Sequence, residues 1–375
     1  MIFLGCLMIH FVVNNDYQYV EASRIALDLQ DAGFQVSLIS IPHTLTVALD
    51  RTLFSRVVEI SSPAKFKWAK AWIRYLPASF LVRRRFAPGP QDTIIIFTEL
   101  ELMNQIVALW FKKSGAKIYL MEDGGAGTYI PLALPRADPF SLKDRIKQTM
   151  IRLIPTLQQT RFTKFSETLI PLLEDKVLDG ILLYRSLQTN RSVPIHVVSR
   201  PNQNKIDVCH GKAIFLNQPL YIDRIQTPED YAIGLRKILS ALREGFDEVL
   251  FKFHPRETEP ARNMISDSIL KDFPEIQVVN ERQPFEIMLA FVRPEAVVSY
   301  HSTPLLNLKG TGVQPIFVYH LIEDLKDQSA FVAMHALLTS WDYRFPARWE
   351  DVASGFDSGS KFDDAGEAIP LCKIL

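Results

Sequence analysis

Cysteine is almost missing from these 375 residues: there are three, at positions 6, 209 and 372. An odd number of widely spaced thiols excludes a disulfide scaffold and offers no zinc-ligand spacing, so a reducing compartment is the simpler expectation. Net charge is missing too. Lys plus Arg and Asp plus Glu each number 42, which excludes a polycation built to hold nucleic acid. No apolar run reaches the roughly 20 residues that cross a bilayer. The strongest candidate, residues 2–13 (IFLGCLMIHFVV), has neither a basic leader nor a small-residue cleavage site, and it reads as a buried first strand. Gly and Pro, 16 and 23 residues, stay near average usage, so collagen-like and low-complexity classes fall away. What remains is a soluble or peripheral protein of about two domains.

What is present is unevenly placed. Residues 1–165 hold 20 Lys and Arg against 13 Asp and Glu, and the remainder reverses that excess. A basic half and an acidic half fit two domains with different ligands. Along the chain, short apolar runs alternate with helical periods. Ile2–Val13, Gln35–Ser40, Asp92–Thr98 and Lys117–Met121 read as strands, with helices over Tyr19–Ala32 and Leu102–Lys113. A helical stretch, 141–190, leads to Arg191–Gln203, rich in Ser, Asn and Pro. Strands resume at Ala213–Leu216, Glu248–Phe253, Ile276–Val279, Ala296–Tyr300 and Pro315–Tyr319, with helices starting near Thr227, Thr258, Pro284 and Ser302. Uniformly apolar strands separated by helices indicate parallel sheets covered on both faces. The expectation is an α/β chain of two Rossmann-like domains facing a cleft, 1–195 and 205–375.

In such sheets ligands sit beyond the carboxyl ends of the strands, and three strand ends carry chemistry. The first is Glu122-Asp123-Gly124-Gly125-Ala126-Gly127-Thr128-Tyr129. Alternation points the two carboxylates to opposite sides, so one serves as a base while the other anchors the turn; the glycines admit a close ligand. The third glycine of a dinucleotide fingerprint is missing. The second end is Lys252-Phe253-His254-Pro255-Arg256. There an imidazole meets a proline at an expected first helical position, with cations to help hold a phosphate. The third is Ser299-Tyr300-His301-Ser302-Thr303, a hydroxyl pair able to cap a helix or hold an anion. A base in one half and an anion cradle in the other suit deprotonation of an acceptor hydroxyl as a phosphate departs.

These residues resemble a known group. Glu122-Asp123-Gly124, His254-Pro255 and Ser302-Thr303 are similar to the D/E-D/E-G, HP and S/S-T motifs of bacterial GT-B sialyltransferases, in particular the polysialyltransferase family of capsule synthesis. EDGGAGTY is similar to that family's EEGTGTY with one residue added, and Asn217-Gln218 is similar to an NQ found there. His301 departs from the pattern, standing where a small residue is more usual.

The resemblance implies a GT-B fold and an inverting, metal-independent transferase of sialic acid from CMP-sialic acid to a capsular or lipooligosaccharide acceptor. It makes an acidic residue of the first motif the base, with Glu122 favoured over Asp123. His254 supports the departing CMP phosphate and protonates it. Ser302 and Thr303 bind that phosphate, and Gly124, Gly125, Gly127, Asn217, Gln218, Lys252, Pro255 and Arg256 complete the nucleotide site. The alternatives are a donor such as CMP-Kdo or another nonulosonic acid, and a non-catalytic subunit of a surface-polysaccharide complex.

No DxD closes a strand, no G-x-S-x-G elbow appears, and no cofactor is expected. Residues 64–90 hold Lys65, Lys67, Lys70, Arg74, Arg83, Arg84 and Arg85 among aromatics and no acid, and Lys143–Lys164 is basic again. Such segments grip an anionic glycan or lie on an anionic leaflet. The expected partners are therefore a CMP-sugar, a glycan or lipid-linked glycan, and the inner face of a bacterial inner membrane, but not nucleic acid. The expected location is the cytoplasm.

Overall fold

A computed structural model describes residues 7–60, 80–99, 101–124, 128–133, 173–189, 191–201, 205–279, 283–354 and 368–375. The chain divides into two compact units, Met1–Pro201 with Ala365–Leu375, and Asn202–Asp364.

The first unit is built on seven parallel strands: β1 (Met8–Asn15), β2 (Gln35–Thr44), β3 (Arg56–Glu59), β4 (Thr93–Ile96), β5 (Lys117–Met121), β6 (Gly180–Leu183) and β7 (Ile195–Val197). Their order is β3-β2-β1-β4-β5-β6-β7. β1 and β4 are central and mostly apolar, His10 being a buried exception; Ile9, Phe11, Val12, Ile94, Ile95 and Ile96 are fully buried. Residues inaccessible on both faces need helices on both sides, supplied in part by α1 (Asp16–Asp31) and α2 (Leu102–Lys113). Helix α1 starts sharply because the Asn15 side chain accepts the Gln18 N–H at 2.9 Å. Its Tyr19, Ala22, Ile25, Ala26 and Leu29 recur at helical spacing and pack on the sheet.

The second unit holds β8 (Cys209–Leu216), β9 (Glu248–Lys252), β10 (Gln277–Val279), β11 (Pro294–Ser299) and β12 (Gln314–Phe317), all parallel, in the order β10-β9-β8-β11-β12. Between them run α3 (Pro228–Gly245), α4 (Glu259–Ser268), α5 (Phe285–Val292) and α6 (Thr303–Leu306). Thr227 caps α3 by accepting the Asp230 N–H at 3.1 Å, and Pro228 follows where no N–H is needed. Tyr231, Leu235, Ile238, Leu239 and Leu242 form its buried stripe. Gly245 ends it against α7 (Trp349–Ala353): a Cβ there would stand 2.0 Å from the Ala353 carbonyl oxygen.

The α/β class with two parallel, Rossmann-like sheets agrees with the sequence reading, and so do the helix starts at Thr227, Thr258, Pro284 and Ser302. The helical reading of 141–190 needs correction. Its described part holds a single 3-10 turn, Asp175–Val177, and then strand β6. A four-residue apolar run carries no period that separates strand from helix. Gly180 opens that strand because a Cβ would come within 2.9 Å of His196 Cδ2 and Tyr119 Cε1. The Ser- and Asn-rich segment read as a boundary contains β7, and the first unit extends to Pro201. Residues 368–375 return to that unit: Ile369 bridges Val198, and Leu371, Ile374 and Leu375 pack on its core.

Candidate active site

In the first unit β5 ends at Met121 and delivers Glu122 and Asp123. Glu122 turns inward and is 1% exposed. Its Oε2 accepts the Tyr129 hydroxyl and the Tyr184 N–H, the latter at 2.8 Å, while Oε1 lies 3.5 Å from Arg200 Nη2. Arg200 stacks over the Tyr184 ring, 4.4 Å from its centroid, and the Tyr184 hydroxyl donates to Glu21. A carboxylate held from so many sides anchors the turn.

Asp123 keeps part of its surface open. Burial pushes its carboxyl up to about 7; the Gln18 amide pulls it down, and the charge of Glu122 pushes it up again. Its main-chain N–H donates to Thr128 Oγ1 at 2.6 Å, folding the turn back on the strand. Gly124, with φ of +82°, takes a left-handed conformation that suits glycine. Gly125 and Gly127 lie outside the described residues.

At the switch point of this sheet, between β1 and β4, sits a pair of buried amides. Asn104 donates to Asn14 Oδ1 at 2.7 Å, and Asn14 returns a bond to Asn104 Oδ1 at 3.2 Å. Sequence reading did not single them out, because 90 residues separate them.

In the second unit the register aligns Lys252, Leu216 and Ser299 across β9, β8 and β11. Two residues further along each chain stand His254, Gln218 and His301; the last two flank the switch point between β8 and β11, and His254 follows the neighbouring β9. Gln218 Oε1 accepts the His301 N–H at 2.9 Å. Asn217 is buried; its Nδ2 donates to Glu257 at 2.7 Å and its Oδ1 accepts the Tyr231 hydroxyl at 2.8 Å. The other oxygen of Glu257 accepts the His254 N–H at 2.7 Å, so this carboxylate ties the ends of β8 and β9 together. Burial raises Glu257 to about 7 against the pull of those donors. Its signal in the sequence was the carboxylate three residues after the histidine, in the turn before a helix.

His254 Nδ1 accepts the main-chain N–H of Arg256 at 3.1 Å, which leaves the ring proton on Nε2. Burial, with Arg256 nearby, lowers its pKa to about 4, so the ring is neutral near pH 7. Pro255 does not open the helix as expected. It lies in a turn closed by the Glu257 N–H on the His254 carbonyl at 2.9 Å, and α4 begins after Thr258 with Pro260 in its first turn. The Glu257 carboxylate folding back on the His254 N–H favours that turn over a helical start.

Both terminal nitrogens of the Arg256 guanidinium grip Asp223, at 2.8 and 2.7 Å. Lys252 Nζ donates to the Gln283 carbonyl at 2.8 Å. Ser302 stands at the cap position of α6, yet its hydroxyl makes no capping bond; Thr303 is the first residue of that helix. Burial brings His301 down to about 4, and its ring meets Phe331 edge-on at 5.0 Å.

Most of the basic, aromatic segment falls in residues 61–79, outside the described residues, as does all of 143–164. Of the rest, Phe86 is core and lies under Arg56 of β3, Arg83 stacks on Trp110, and Arg85 bonds the Glu59 carbonyl. Among the described residues, no three His, Cys, Asp or Glu side chains gather to hold a metal ion, and no helix is long and apolar enough to cross a membrane.

The chain superposes on a protein of Listeria monocytogenes described as a UDP-N-acetylglucosamine 2-epimerase, with a TM-score of 0.52 at 11% identity over 84% of this chain and 80% of that one. It also superposes on LpCGTa in complex with UDP, with a TM-score of 0.51 at 10% identity over 94% and 90%. At such identities the likeness shows the fold alone, which is GT-B. No curated protein matches the sequence. A family model does: that of alpha-2,8-polysialyltransferase (POLYST), over residues 38–311. That span holds all three motif segments and most of both sheets, and the chain belongs to the alpha-2,8-polysialyltransferase family, as a glycosyltransferase that draws on a nucleotide-activated sugar.

Proposed function

We propose that this glycosyltransferase moves sialic acid from CMP-sialic acid onto a cell-surface glycan, capsular or lipooligosaccharide, with inversion and without a metal ion. The carrying observation is His254. Its tautomer is fixed, with Nε2–H as a neutral donor, at the carboxyl end of β9, while the Ser302 hydroxyl after β11 is not used in capping. Family membership supports the sialyl donor.

In this reading the second unit, with Asn217 and Gln218 bracing its strand ends, takes the CMP-sugar. Nε2–H of His254 and the hydroxyls of Ser302 and Thr303 donate to the phosphate. The first unit takes the acceptor, and Asp123 is the base. Its open edge and its carboxyl near 7 suit proton removal at neutral pH better than the enclosed Glu122, which becomes the anchor. The acceptor O–H proton passes to Asp123 as the oxygen bonds to the anomeric carbon. The bond from that carbon to the phosphate oxygen breaks on the opposite face, and its electron pair leaves with CMP. Donors fixed in advance around the phosphate stabilise the growing charge.

The test is calorimetric binding of CMP, UMP and GDP, followed by transfer from CMP-sialic acid and CMP-Kdo in the presence of EDTA. Binding of CMP alone with sialyl transfer supports the proposal. Preference for UMP or GDP, or transfer of Kdo only, overturns the donor. Residues 64–90 are proposed to rest on an anionic inner leaflet, and salt-insensitive or absent cosedimentation with anionic vesicles removes that part.

A further inference from the structure

The turn that carries His254 is closed by three hydrogen bonds within four residues. The Glu257 N–H donates to the His254 carbonyl at 2.9 Å, and the Glu257 side chain reaches back to accept the His254 N–H at 2.7 Å. Both of these fix backbone. The third fixes the ring: the Arg256 N–H donates to Nδ1 at 3.1 Å. That donor points at the imidazole only while residues 254–257 keep their closed form, so the orientation of the ring depends on the first two bonds.

Glu257 is in turn anchored from the interior. Its other oxygen accepts Asn217 Nδ2 at 2.7 Å, and Asn217 Oδ1 accepts the Tyr231 hydroxyl at 2.8 Å. Exposure is 3% at Glu257, 2% at Asn217 and 1% at Tyr231. The chain of bonds thus runs from the core stripe of α3, through the end of β8, to the end of β9. Burial opposes the charge of Glu257, while the His254 N–H, Arg262, Asn217 and Arg256 favour it. The hydroxyls of Tyr221, Tyr231 and Tyr300 also lie within reach of that charge. Tying two strand ends together does not call for a carboxylate at this depth, because apolar side chains of the same volume often serve stability as well. What a carboxylate adds is two acceptors aimed at two separate donors.

We propose that Glu257 is a positioning residue for His254: it holds the main chain of the turn so that the imidazole presents Nε2–H in one orientation to the phosphate of the donor. This rests on the reading of His254 as the phosphate partner, and it assigns Glu257 no contact with the substrate. A proton arriving on the oxygen that faces Asn217 is accommodated by turning that amide over, so the bond to His254 survives titration of the carboxyl.

Three variants test this on the full chain by nitrogen NMR of ring-labelled histidine, the His254 signals being identified by their loss in His254→Ala. Glu257→Met keeps the volume and removes both acceptors. Its ring is expected to sample both tautomers, and its titration to move from about 4 towards the ordinary value of about 6.5. Calorimetric binding of CMP should weaken by about tenfold or more, which is about 1.4 kcal/mol or more. Glu257→Gln still offers the His254 N–H an acceptor once Asn217 turns over, and it should recover most of both losses. Asn217→Ser cuts the anchor but leaves the turn its own residues, and it should move both readouts the same way by less. A merely structural role would lower the melting temperature and leave the ring's titration where it was. An unmoved titration in folded Glu257→Met overturns the inference; so does the same result in Asn217→Ser where Glu257→Met fails to fold, or a Gln variant no better than Met. His254→Ala separates the two readings. If it binds CMP as the wild type does, His254 is not the phosphate partner. If it binds weakly while Glu257→Met keeps the wild-type titration and affinity, only the inference fails.

Discussion

The main-chain N–H of Arg256 donates to Nδ1 of His254 at 3.1 Å, so the imidazole proton is assigned to Nε2 before any substrate arrives. His254→Ala is therefore expected to lower turnover by about 10²–10⁴-fold. His254→Gln, whose side-chain N–H₂ reaches nearly as far as Nε2, is expected to recover part of the loss, and the shorter His254→Asn is not. Steady-state kinetics on the three variants checks this, with equal recovery by Asn and Gln counting against an Nε2 donor.

Glu122 and Asp123 are neighbours with opposite expected phenotypes. Asp123→Asn should remove at least about 10²-fold of the rate while the protein melts close to wild type. Glu122→Gln takes the negative charge from beside Arg200 and should lower stability by roughly 3 kcal/mol, as broken buried pairs do. On the proposed reading, in which Asp123, near 7, serves as carboxylate, kcat/KM should rise with pH and level off above about 7, falling about tenfold per unit below it. His254, near 4, stays neutral across that range and adds no limb. Melting curves together with a pH–rate profile decide the pair.

Arg191 is a buried clamp: it bonds Asp175 at 2.8 Å, Glu99 at 3.2 Å and the Leu173 carbonyl at 3.0 Å. Arg191→Met should destabilise the protein by about 3 kcal/mol. Burial pushes the Asp175 carboxyl up, but Ser192 and Arg191 outweigh it and hold the group at about 2. A depressed carboxyl stabilises the fold above its unfolded value, about 3.9, and loses that contribution as pH falls toward about 2. The variant should lose part of this acid sensitivity, the Ser192 hydrogen bonds keeping the rest, measured as the change in urea midpoint between about pH 5 and about pH 3.

Gly245→Ala puts a methyl where the Ala353 carbonyl oxygen already stands, at 2.0 Å. Backbone has to move, so the substitution should destabilise by about 2 kcal/mol or more despite alanine's better helix propensity. Thermal melting of this single variant checks the packing of α3 on α7.

Much of this architecture was legible in the chain. Continuous apolar runs such as Thr93–Ile96 announced central strands, and Thr227-Pro228 announced a helix start. Other features had no local signal. β3, β6 and β7 are three or four residues long and owe their strand state to a neighbour already in place. Gln18, Asn14 and Asn104 look like ordinary polar residues of a turn and a helix; only the order of the strands brings them together. The turn after His254 departs from the expected helix start because the Glu257 side chain satisfies the His254 N–H, a bond with no local signal in the sequence.

The bridge between Val198 and Ile369, with Leu371, Ile374 and Leu375 on the core of the first sheet, bears on how the protein can be dissected. A fragment cut after Pro201 lacks its own closing piece and exposes the apolar floor beneath it. Residues 365–375 would have to be spliced directly onto position 201 to give that half as a separate polypeptide. The second half, by contrast, is one uninterrupted stretch, 202–364, and can be excised by two cuts.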